Sequence, residues 1–195
     1  MATALFYQPQ CGIAGDMHLA ALIDLGVPAE HVQAELARLG LGDSFSLQLS
    51  SAQKMGISGL NARVEANDEH DHRHHSTIQR MIRDAGFASG IEQRAVDIFQ
   101  ALAVAEGKIH NVEPENVHFH EVGAIDSIVD IVAAAICIDY LQPDVVLCSP
   151  VEVGSGFVNC AHGRFPVPAP ATQELLINAL CTYGGVDGEC TTPTG

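Results

Sequence analysis

Basic residues are scarce in this chain: nine lysines and arginines stand against 24 aspartates and glutamates, a formal net charge of -15 over 195 residues. Nucleic acid draws its protein affinity largely from lysine and arginine at phosphates. Anionic membrane surfaces ask for the same residues, so neither partner class is expected. Long apolar runs are missing too. The longest, Ile125 to Ile138, is broken by Asp126, Ser127 and Asp130 and falls short of the about 20 residues that span a bilayer. Met1-Ala2-Thr3-Ala4-Leu5 carries no charged leader, so no signal peptide is read there. No two of the six cysteines form a C-x-x-C pair, which points to free, buried thiols in a reducing cytoplasm. Gly-Lys-Ser/Thr, the dinucleotide glycine spacing and internal repeats are likewise absent.

What remains is a chain with 47% apolar residues, enough to build the core of one domain over residues 1–195. Ala4 to Tyr7 reads as a strand, followed by a glycine turn at Cys11 to Asp16 and a helix over Met17 to Leu25 that Gly26 stops. A second helix runs from Pro28 to Leu39 and closes at Gly40. Phe45, Leu47 and Leu49 alternate with polar residues. With Leu60 to Ala66 they suggest a hairpin around Met55 to Gly59. Residues 67–75 are read as a mobile His-rich loop, with Ser76 as the N-cap of a helix bearing Ile78, Met81 and Ile82. Helices follow over Ile91 to Ile109 and Ala124 to Tyr140, then a short buried strand over Asp144 to Leu147. Gly154 to Gly156 and the prolines at 166, 168 and 170 read as loop, and Thr172 to Ala179 as a last helix. The fold class is α/β: a mixed sheet of short strands with packed helices in a single layered domain.

The richest chemistry lies in His118-Phe119-His120-Glu121-Val122-Gly123-Ala124-Ile125-Asp126-Ser127-Ile128-Val129-Asp130. Ionised carboxylates beside an apolar helix need partners, and imidazole or a divalent metal can supply them. Asp126 and Asp130 are four apart and share a helix face. They could hold a cation, or Asp126 could simply cap the helix. His118 and His120, two apart on an extended segment, point the same way. The tract His70-Asp71-His72-Arg73-His74-His75 suits a loosely held, fast-exchanging metal, or is a solvated loop. Gly12 and Gly15, before Asp16, allow backbone amides to approach an anion, though a plain tight turn reads equally well. Prolines after Cys160, His162 and Arg164 hold those side chains in place, and Arg164 suits a phosphate.

Cys11-Gly12-Ile13-Ala14-Gly15-Asp16-Met17, Gly56-Ile57-Ser58-Gly59, the His tract, the block His118 to Asp130, and His162-Gly163 with Pro166 to Thr172 together resemble the N-terminal half of the LarC family. These are nickel insertion proteins for the pyridinium-3,5-bisthiocarboxylic acid mononucleotide cofactor of lactate racemase. The resemblance implies that Ni(II) is placed between two thiocarboxylate sulfurs and a pyridinium carbon, with CTP and a hard cation, Mg or Mn, taking part. It makes His118, His120, Glu121, Asp126, Asp130, His70, His72, His74 and His75 candidate metal contacts. Gly12, Gly15, Asp16, His162 and Arg164 become candidate substrate contacts. Gln8 and Cys11 stand where the family carries Asp and Ser. The implied partners are the small pyridinium mononucleotide and the C-terminal, CTP-binding half of the same family's proteins, with a homo-oligomer as an option. On that view the chain is part of a metal chelatase of the lyase class, binding nickel without completing insertion alone. The alternatives are a non-catalytic nickel-delivery module and an interaction domain that docks a partner chain.

Overall fold

The structure, a computed structural model, describes residues 2–67, 73–120, 122–160 and 162–195. In chain order the first elements are β1 (Ala4–Tyr7), α1 (Gly15–Asp24), α2 (Ala29–Leu36), β2 (Phe45–Lys54), β3 (Ile57–Ala66), β4 (Arg73–His74) and α3 (His75–Asp84). Then come α4 (Ser89–His110), β5 (His118–Phe119), α5 (Ile125–Leu141), β6 (Val145–Cys148), β7 (Val151–Glu152), β8 (Gly154–Ser155) and β9 (Phe157–Cys160). The last are β10 (Gly163–Pro166), α6 (Pro170–Leu175), β11 (Cys181–Thr182) and β12 (Gly188–Glu189). The expected α/β mixture is present. Its strands pair two by two among the described residues, in parallel (β1 with β6, β7 with β11) and antiparallel (β2 with β3, β4 with β5, β8 with β12, β9 with β10).

Helix α5 is the centre of the core. It is apolar almost all round because α1, α2, α4 and β3 pack against it on several sides. Ile128, Val129, Val132, Ile136 and Cys137 are fully enclosed. Of its three acidic residues, Asp126 and Asp130 lie near its N-terminal end and Asp139 near its C-terminal end. The expected hairpin forms as β2 and β3, joined by a two-residue turn. Met55 (φ 52°) and Gly56 (φ 84°) both take left-handed backbone, as a turn matching strand twist requires.

Four expectations are corrected. The strand expected over Asp144 to Leu147 runs one residue later and is exposed: β1 and β6 form a two-stranded sheet in which Val146 and Leu147 are each 50% accessible. Ser76 is not an N-cap. Pairing of β4 with β5 keeps His74 extended, the His75 amide donates to the Val117 carbonyl, and α3 starts at His75. Gly154 and Ser155, expected as loop, form β8, Pro166 ends β10, and the helix expected over Thr172 to Ala179 runs from Pro170 to Leu175, with Pro170 in its first turn.

The carboxylate of Glu152, only 4% accessible, ties this region together. It accepts hydrogen bonds from the Gly154 and Gly185 amides (2.9 and 3.1 Å) and the Thr182 hydroxyl (2.7 Å). Those bonds, the Thr182 hydroxyl's above all, hold its pKa below the usual carboxylate value. The Glu152 carbonyl accepts from the Thr191 hydroxyl at 2.6 Å, and the Thr192 amide donates to the Ile13 carbonyl. Residues 191–195 therefore lie beside the glycine turn that opens α1.

Candidate functional site

A cavity of about 590 Å³ opens where the N-terminal ends of α1, α5 and α6 converge. Ala14, Gly15 and Asp16 contribute from the first, Asp126 and Ser127 from the second, Ala169 to Ala171 from the third. The hairpin β9–β10, the last turn of α4 and residues 192–194 complete the wall, and Arg63 reaches it from β3. The first amides of a helix lack backbone partners within it; here Asp16 and Asp126 take those of Met17 and Ser127, and the aligned peptide dipoles make such ends positive. The cavity thus offers donors to an anion as well as oxygens to a cation.

The oxygens come from Asp16, Asp126 and Asp130. Asp130 has its pKa pushed up from 3.8 to about 7, first by burial, then by the negative charges of Asp16 and Asp126. Its Oδ1 is buried with no hydrogen-bond partner. Gly15 makes this approach sterically feasible: a Cβ there would lie 2.5 Å from Asp130 Oδ2. The N-cap of α5 is Ala124, so Asp126 is not the cap; its Oδ1 accepts from the Ser127 amide at 2.7 Å. A crowd of acidic oxygens with one orphaned atom fits a hard or borderline divalent ion.

Beside the carboxylates runs a row of imidazoles. The β4–β5 register puts His74 opposite His118, with ring centres 4.6 Å apart. His118 and His120 flank the buried Phe119 and lie 5.5 Å apart, on one side of the segment as period-two alternation expects. The His120 ring then meets His162 (4.8 Å) and His110 (5.9 Å), and His110 meets His162 (4.8 Å). His110 ends α4, where Asn111 turns left-handed (φ 54°), and its Nε2 lies 3.2 Å from a Glu106 carboxylate oxygen. His110, Glu106, His162 and Cys160 also line the cavity. As the side chains stand, no group of three or more His, Cys, Asp or Glu among the described residues could hold a metal ion.

Of the residues singled out by sequence, the fold gathers Gly15, Asp16, His118, His120, Asp126, Asp130 and His162 in and around this cavity. His74 joins at the outer end of the row. His75 does not: it is buried edge-on to Phe119, and burial lowers its pKa. Arg164 lies away from the cavity, its guanidinium 4.3 Å from the centre of the Phe157 ring. Gly12 is committed to the turn, its amide bonded to the Pro9 carbonyl and its α-carbon against Cys190. His70, His72 and Glu121 lie outside the described residues. Sequence reading missed Arg63, Glu106 and His110. The Glu106-x-x-x-His110 spacing on a helix was the available signal.

A second, apolar cavity of about 270 Å³ lies on the other side of the glycine turn. There Tyr7 Oη and His18 Nε2 are 2.7 Å apart. Burial lowers His18 to about 4 and raises Tyr7 and Cys137 to about 12 each.

The family described as nickel insertion protein matches residues 5–195. Curated proteins named pyridinium-3,5-bisthiocarboxylic acid mononucleotide nickel insertion protein are similar across 98% of this chain. The one from Clostridium kluyveri is 47% identical over 51% of its own length, that from Clostridium acetobutylicum 44% over 53%, and that from Akkermansia muciniphila 44% over 49%. The chain thus spans about half the length of these relatives. No solved structure matches it. No helix among the described residues is long and apolar enough to cross a membrane. With the family match over residues 5–195 and these relatives in agreement, the chain belongs to the LarC family of nickel insertion proteins.

Proposed function

We propose that this chain supplies the nickel- and substrate-holding part of a metal chelatase that loads Ni(II) into pyridinium-3,5-bisthiocarboxylic acid mononucleotide. The observation that carries the reading is the meeting, in one cavity, of helix N-termini and Arg63 with Asp16, Asp126, Asp130, His110 and His162, the last two in ring contact with His120. The mononucleotide's phosphate suits the amides and the arginine. Nickel suits imidazole nitrogen and carboxylate oxygen, which hold it less firmly than sulfur. Transfer is then a ligand exchange, in which two thiocarboxylate sulfurs displace nitrogen and oxygen donors, and the nickel–carbon bond replaces a ring C–H bond whose proton leaves to a displaced carboxylate or imidazole. CTP with Mg or Mn is assigned chiefly to the remaining half of the full-length protein; the all-carboxylate set Asp16, Asp126 and Asp130 also has the donors a hard cation takes. Six unpaired cysteines fit a cytoplasmic reaction.

The test combines this chain with the separately produced second half, precursor, Ni(II), CTP and Mg, and follows nickel–sulfur absorption. Asp130→Ala and the double change His118→Ala/His120→Ala are expected to cut loading at least tenfold, by analogy with roughly 10–100-fold losses when metal-site partners are removed. Undiminished loading in both would refute the reading.

A further inference from the structure

We infer that His110, His120 and His162 form one nickel-holding site, and that His118 and His74 lead into it as a line along which the ion moves by stepwise ligand exchange. This inference rests on the nickel-loading reading above and adds the place where the ion waits.

Imidazoles bound to one ion through nitrogens about 2.0–2.1 Å from it have ring centres about 5 Å apart. The three rings stand at 4.8, 4.8 and 5.9 Å. They come from three separate elements: the end of α4, the segment after β5, and the β9–β10 connection. Local sequence does not bring them together; the fold does. Their planes are inclined at 57°, 58° and 25°, so their nitrogens do not yet converge on one point. All three side chains are exposed. Turning exposed rings about their outer torsions, which have broad minima, is a small adjustment. Glu106 adds the partner that a metal-bound histidine usually has: with its oxygen 3.2 Å from His110 Nε2, Nδ1 is left to face an ion. His118 lies 5.5 Å from His120, and His74 4.6 Å from His118, so each step along the row is one ring wide. The inner end of the row opens on the cavity that holds Asp130, where the substrate is placed by the reading above.

The experiment is calorimetric titration of the complete chain with Ni(II), with X-ray absorption to count imidazole ligands and stopped-flow absorption to follow loading. The wild type is expected to hold one ion with about three imidazoles. His110→Asn/His162→Asn is expected to lose more affinity than the roughly 10–100-fold that removal of an outer partner costs, and Glu106→Gln to fall within that range. His74→Asn is expected to leave affinity unchanged and slow loading several-fold. Wild-type affinity and imidazole count in the double variant, with circular dichroism unchanged, would overturn the site. An unchanged loading rate in His74→Asn would overturn the line. If the double variant binds nickel normally while Asp130→Ala still stops cofactor loading, the trio falls and the insertion reading stands. If the wild type binds no nickel, both fall.

Discussion

At the scale of single residues, two buried groups pull stability in opposite directions as pH changes. His18 is lowered by burial from 6.5 to about 4. Between those values the unfolded chain takes a proton that the folded one refuses. The contribution of His18 is therefore full above pH 6.5 and is lost as pH falls to 4, about 2–3 kcal/mol after allowing for partial exposure. Asp130 is raised by burial from 3.8 to about 7. The folded state keeps a proton that the unfolded one releases, so its contribution is full below pH 3.8 and is lost as pH rises to 7, about 3–4 kcal/mol. The two slopes nearly cancel between pH 4 and 6.5. Thermal melts across pH 4 to 8 are expected to separate them. Relative to wild type, His18→Gln should lose less stability on acidification, and Asp130→Asn should be the more stable protein at pH 8. An Asp130→Asn variant that melts lower at pH 8 would mean the carboxylate already has a compensating partner.

At the scale of elements, the parts with strong periodicity were legible and the parts without it were not. β1, the hairpin and helices α2, α4 and α5 were all readable from alternation, 3.6-residue stripes and glycine stops. The carboxylate pair on α5 and the His118/His120 pair followed from the same two periods. Strands β7, β8, β11 and β12 have two residues each and pair about 30 residues apart, so no local pattern could announce them. The burial of β6 was misread because Val145 to Cys148 looks like a core strand, yet the sheet stops at two strands. His110 could not be tied to His120 and His162 without the packing of α4 against its neighbours. The hairpin turn gives a prediction of its own. Met55 holds φ 52° and is 95% accessible, so it bears left-handed strain with little packing in return. Met55→Asn is expected to stabilise by about 0.5–1 kcal/mol, read as a raised denaturation midpoint in urea. Gly15→Ala should act in reverse: its methyl would press on Asp130 and drive α1 off α5, lowering the same midpoint.

At the scale of the whole molecule, charge is one-sided: -15 overall, with five acids lining the cavity. Self-repulsion at that charge weakens the compact state, and salt screens it over about 10 Å at 0.1 M. Raising sodium chloride from low to physiological strength is expected to raise the melting temperature. A fall would show that ion pairs such as Arg94 with Asp139 outweigh the repulsion. The row from His74 to His162 carries a different consequence, for metal supply in the cell. Nitrogen sites of this kind rank divalent ions in a fixed series, with copper above nickel. A path built from imidazole has no affinity of its own with which to turn copper away. Where that row carries nickel, as proposed, fidelity must come from which ion the cell leaves free, and excess copper would compete for the same imidazoles.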